Sequence, residues 1–116
     1  MTNEQIIQLC NEIKKTTEEW FSYCPCLLDV KFSFREDKLP YRMEIVIDRE
    51  QNREYEELCE TPEDCYDIDP YSDELSWEIS SCIEDFLEKI GEEIDFNPMA
   101  YDYKMNEKTA SIFYGI

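Results

Sequence analysis

A chain of 116 residues, 42% hydrophobic and 14% aromatic, holds enough apolar material for one domain with a buried core, which sets it apart from disordered chains. Twenty-nine acidic residues against eleven basic ones leave a net charge of −18, which all but excludes direct nucleic-acid binding, because phosphate contacts need Lys and Arg. With no histidine and two glycines, the commonest general base, every Ser-His or Cys-His pair and any glycine-rich phosphate loop are missing, so no enzymatic activity is expected.

The N-terminal stretch MTNEQIIQLCNEIKK starts polar and continues as an amphipathic helix, unlike a secretory signal. No apolar run reaches membrane-spanning length, so no membrane contact is expected. Cytoplasmic residence, in a cell or a virus-infected cell, then implies reduced thiols for the six cysteines.

Thr2-x-x-Gln5 forms a capping-box start. Ile6, Ile7, Leu9, Cys10, Ile13, Thr17, Trp20 and Phe21 follow at helical spacing, which predicts a helix over 3–22, stopped by Pro25. Val30, Phe32 and Phe34 then alternate with Lys31, Ser33 and Arg35. After a turn at 36–40, Tyr41, Met43, Ile45 and Ile47 alternate with Arg42, Glu44 and Val46, completing a hairpin over 28–48. Residues 49–71 lack a period, carry Pro62 and Pro70, and read as an acidic loop with a short helical turn at 53–59. Asp69 or Ser72 caps a second helix, 72–94, whose apolar stripe runs from Leu75 through Ile79, Cys82, Ile83, Phe86, Leu87 and Ile90 to Ile94. Glu74, Glu78, Asp85, Glu88 and Glu92 line its other side. Tyr101, Tyr103 and Met105, a turn at 106–108, and Ala110, Ile112 and Tyr114 make a second hairpin over 100–115. The expectation is a single domain over 1–116 of the α+β class, ordered α-β-β-α-β-β. Its four-stranded antiparallel sheet is covered by both helices on one face and open to solvent on the other.

The charge is uneven along the chain. Residues 1–53 carry net −2 and residues 54–116 net −16, and the stretch 54–88 holds fourteen acids without a single cation. A solvated acidic loop is the ordinary explanation of a charge run. Confinement of −16 to one half points further, to a cationic partner surface. Carboxylates held on folded backbone imitate the phosphate array of a nucleic acid and fill a Lys/Arg groove built for it. The residues expected to do so are Glu54, Glu56, Glu57, Glu60, Glu63, Asp64, Asp67 and Asp69, extended by Glu74 and Glu78. Interleaved Tyr55, Tyr66 and Tyr71 are interface anchors in that reading and lid residues over the core in the plainer one.

Metal sites are weakly signalled. Cys10 and Cys82 fall on apolar stripes and read as small buried hydrophobes. Cys24, Cys26, Cys59 and Cys65 form two loop pairs open to zinc, to disulfides or to free thiols. Their spacing is not the C-x2-C knuckle, and the surroundings are already anionic. Asp67, Asp69, Asp73 and Glu78 match positions 1, 3, 7 and 12 of a calcium loop, but Ser72 replaces the required glycine beside Pro70 and Tyr71. Acids at a helix start are equally explained by the macrodipole. No metal or cofactor is expected.

In size, acidity and lack of catalytic signatures, the chain resembles the phage-encoded DNA-mimic inhibitors, including anti-CRISPR proteins. That resemblance implies a stoichiometric inhibitor occupying the nucleic-acid groove of a defence nuclease such as a CRISPR effector. An immunity protein that neutralises a bacterial toxin nuclease has the same bulk properties. A metal-binding regulatory domain is the third class, resting on the cysteines and Asp67–Glu78.

Overall fold

The computed structural model describes residues 1–22, 26–49 and 73–116. Its elements are α1 (Asn3–Trp20), β1 (Leu27–Phe34), β2 (Pro40–Asp48), α2 (Asp73–Ile90), β3 (Met99–Met105) and β4 (Thr109–Gly115), the expected α-β-β-α-β-β order. The expected helical turn at 53–59 and the cap at Asp69 or Ser72 lie outside the described residues.

The capping box at Thr2 forms as read: Thr2 Oγ1 accepts the Gln5 N–H at 3.2 Å, and Gln5 Oε1 accepts the Thr2 N–H at 2.8 Å. Ile6, Leu9, Cys10, Ile13 and Thr17 make the buried stripe of α1. Ile7, expected on that stripe, is 60% exposed, because one helical step of about 100° carries it off the covered side. The helix also stops at Trp20, two residues short of the predicted end. Phe21 leaves helical geometry and is buried in the core, its ring edge-on to Trp20 at 5.0 Å between centroids. Buried Thr17 meets its own polar need by donating its hydroxyl to the Ile13 carbonyl at 2.9 Å.

The second helix ends at Ile90, four residues before the predicted Ile94. Gly91 adopts φ +70°, its N–H donates to the Glu88 carbonyl at 3.3 Å, and the Glu92 N–H donates to the Leu87 carbonyl at 3.1 Å. That pair of bonds is a Schellman stop, which favours glycine at the left-handed position. Ile94 and Phe96 still pack against the core, now from irregular chain.

The four strands form one antiparallel sheet in the order β1-β2-β4-β3. Strands β2 and β3 both run antiparallel to β4, hence parallel to each other, so β2-α2-β3 is a split β-α-β unit with β4 in the gap. On the covered face Met43, Ile45 and Ile47 of β2 and Ala110, Ile112 and Tyr114 of β4 meet Leu9 and Ile13 of α1 and Leu75, Ile79 and Ile83 of α2 in a single core. Burial of each large aliphatic side chain contributes about 1.5–3 kcal/mol. Two register shifts alter the expected alternation. A shift between Ser33 and Phe34 moves Phe34 off the Val30–Phe32 row and leaves it half exposed. Another between Ala100 and Asp102 turns Tyr101 onto the open face, where its ring lies 6.4 Å from that of Phe113.

Both hairpin turns rest on local side-chain bonds. Asp37 Oδ1 accepts the Leu39 N–H at 3.1 Å beside Lys38 at φ 68°. Asn106 Oδ1 accepts the Lys108 and Thr109 N–H groups at 2.9 and 2.7 Å.

Candidate functional site

The secondary structure sorts the charge. The two helices carry ten acidic residues and three lysines, net −7, while the four strands carry four acids and three bases, net −1. The sorting follows from amphipathicity: each helix buries one stripe and offers the rest of its circumference to water.

The helices run antiparallel along one another. The N-terminal amine of Met1 reaches Glu92 Oε1 at 3.7 Å beyond one end, and Thr16 and Cys82 line the same groove midway. Between them lies a groove of about 520 Å³. Glu12 and Glu19 stand on the α1 wall, Glu78 and Asp85 on the α2 wall, and Lys89 is the one lining cation among the described residues. Each pair is spaced seven residues apart, two helical turns, so both walls repeat a carboxylate at about 10 Å intervals. The result is a double row of fixed negative charge.

Cys82 sits at the seam and lines the groove. Burial pushes its thiol up; the Thr16 hydrogen bond works the other way, and the carboxylates of Glu12, Asp85 and Glu19 push it up further. Cys10 is buried on the other side of the stripe, and burial pushes its thiol up to about 11. Neither is poised as a nucleophile, since a reactive thiol needs a depressed pKa.

On the face of α2 that turns outward, Trp77 is 79% exposed. Helical spacing puts it on one side with Ser81, Glu84 and Glu88, all solvent-facing or nearly so. An exposed Trp among carboxylates is the kind of residue that anchors an interface.

Of the residues expected to contact a partner, Glu78 is exposed and lines the groove. Glu74 lies in the first turn of α2. Glu54, Tyr55, Glu56, Glu57, Glu60, Glu63, Asp64, Tyr66, Asp67, Asp69 and Tyr71 lie outside the described residues. Asp85 and Glu88 are exposed as expected, whereas Glu92 lies past the helix end and pairs with the Met1 amine. Among the metal candidates, Cys24, Cys59 and Cys65 lie outside the described residues, and Cys26 is buried in the core. Asp73 and Glu78 sit within α2. Among the described residues no group of three or more Cys, Asp or Glu is arranged to hold a metal ion. No helix among them is long and apolar enough to cross a membrane.

The sequence reading missed the α1 wall and Trp77. The signal was present: Glu12 and Glu19 share a heptad spacing off the apolar stripe, and Trp77 is out of phase with the Leu75–Ile79–Ile83 row. No protein-family model, curated protein or solved structure matches the chain.

Proposed function

We propose that the chain is a stoichiometric protein inhibitor that occupies the basic nucleic-acid groove of a nuclease or defence complex, its carboxylates standing where phosphates bind. The observation that supports this most is the segregation of acid onto the helical layer, net −7 against −1 on the strands. Rigid helices hold Glu12, Glu19, Glu78 and Asp85 in two rows. A cationic cleft meeting them exchanges its counterions for fixed charge, as it does with a nucleic acid. Trp77 supplies the apolar anchor that charge alone lacks, because screened rim charges act mainly on encounter rate and specificity. The acidic residues between Glu54 and Asp69 belong to the same proposal.

Capture from a host lysate on immobilised protein, with the partner identified by mass spectrometry, tests the reading. A basic nucleic-acid-handling protein, displaced by added salt and competing with DNA or RNA, is the expected catch. Recovery of a partner that is indifferent to salt and to nucleic acid contradicts it.

A further inference from the structure

The sheet face turned away from the helices has a different character. Its strands carry Lys31, Arg42 and Lys104 against Asp29, Glu44, Asp48 and Asp102, near balance in a chain of net −18. The ladder interleaves the two signs: Lys31 pairs with Glu44, and both Glu44 and Asp102 sit opposite Phe113.

Phe113 is the centre of this face. Arg42 Cζ lies 5.4 Å from its ring centroid and Lys104 Nζ 5.8 Å, two cations over one aromatic ring. The Tyr41 ring lies 5.9 Å from the same guanidinium. Arg42 donates from Nη2 to Ser33 Oγ at 3.3 Å, and its buried Nε has no acceptor. Among the described residues Arg42 forms no ion pair, although the chain has 29 acidic residues. Tyr101 and Met99, 56% and 57% exposed, extend the surface along β3. Tyr, Phe, Met and Arg are the residue types enriched at the centre of protein interfaces.

We propose that this face is a self-association surface, on which a second copy of the chain docks sheet to sheet about a two-fold axis. A two-fold contact brings the same surface against itself, so it needs both signs of charge on that surface. This one has them in near-equal number, and carboxylates of the second copy supply the counter-charge that Arg42 lacks among the described residues. Docking here keeps the acidic helices of the two copies apart, because they then point outward on opposite sides of the pair. Other occupants fit worse: a phosphate backbone meets four carboxylates on this face, and a basic protein meets three cations. Four strands about 4.8 Å apart and seven residues at about 3.3 Å each give a modest area, so the association is weak and concentration-dependent.

Sedimentation velocity of the full chain over a concentration series, at low and high salt, tests the proposal. A reversible monomer–dimer equilibrium is expected, with the dimer fraction rising as salt screens the mutual repulsion. Arg42→Glu and Tyr101→Glu, each confirmed folded by circular dichroism, are each expected to weaken it at least about tenfold, the scale of one interface hot spot. The salt response runs opposite to that of capture by the acidic helices, so the two associations fail independently. A monomer at every concentration and salt overturns the proposal. So does a dimer indifferent to both substitutions. So does a monomer whose capture of a different protein is lost in Tyr101→Glu, which assigns the face to that partner.

Discussion

Thr16 of α1 and Cys82 of α2 line the same seam between the helices, beneath walls that carry Glu12, Glu19, Glu78 and Asp85. The sulfur therefore reports on the field of the carboxylate rows. Burial and three of those carboxylates oppose its ionisation. Neutralising neighbours lowers its pKa and raises the thiolate fraction at mildly alkaline pH. Glu12→Gln combined with Asp85→Asn is expected to speed alkylation of Cys82 by about two- to tenfold, measured by mass spectrometry at the Cys82 peptide. An unchanged rate means the two carboxylates exert little field on the seam.

Cys10 gives a pH prediction. Burial pushes its thiol up to about 11 from the ordinary 9.0. The folded state then holds its proton where the unfolded chain has lost it. The contribution is fully present below pH 9 and is lost as pH rises through 11. The loss is about 3 kcal/mol at its upper bound. Urea unfolding across that range is expected to show a falling midpoint in the wild type and a flatter one in Cys10→Ala. Parallel curves contradict this.

Gly91 tests the end of α2. At φ +70°, with nothing within 4 Å of an added Cβ, Gly91→Ala meets backbone strain and no clash. The expected cost is about 1 kcal/mol in denaturant unfolding, with an unchanged m-value. Thr2→Ala, which removes the capping hydroxyl of α1, is expected to cost a similar ~1 kcal/mol. Loss of neither effect is compatible with the two helix ends described.

Salt is expected to stabilise the isolated chain. With net −7 on two adjacent helices, folding brings like charges together, and screening relieves that cost. The thermal midpoint should rise with added sodium chloride at constant pH. A fall on going from low to moderate salt implies that attractive pairs outweigh the repulsion.

The order of elements and the covered face were legible because each relies on a local period: 3.6 along Ile6–Thr17 and Leu75–Leu87, 2 along Met43–Ile47 and Ala110–Tyr114. Element ends were less so. Phe21 caps its helix with its ring buried in the core, and Gly91 stopped α2 although Ile94 continued the apolar spacing. The bulges at Phe34 and Tyr101 had no marker in the sequence, since an inserted residue changes which face follows without changing composition. Strand order was equally hidden, because both hairpins read alike whichever strand is central. For the site, attention went to the density of acid along the chain at 54–69. The groove combines sparse acids from two helices more than fifty residues apart, which density along the chain does not reveal.

Trp77 separates anchoring from charge. Being 79% exposed, it contributes little to the fold, and Trp77→Ala should change stability by no more than about 0.5 kcal/mol. In partner binding the same substitution is expected to cost roughly 2 kcal/mol or more, read by calorimetry on the captured complex. Equal small effects on both remove Trp77 from the interface.

The most direct measurement is the affinity of the captured partner as a function of salt, for the wild type and for the variant with Glu12→Gln, Glu19→Gln, Glu78→Gln and Asp85→Asn together. A steep loss of affinity with salt in the wild type, and a weaker complex with a shallower slope in the neutralised variant, is the predicted result. Superimposable curves for the two proteins contradict the assignment of the helical layer as the phosphate-like surface.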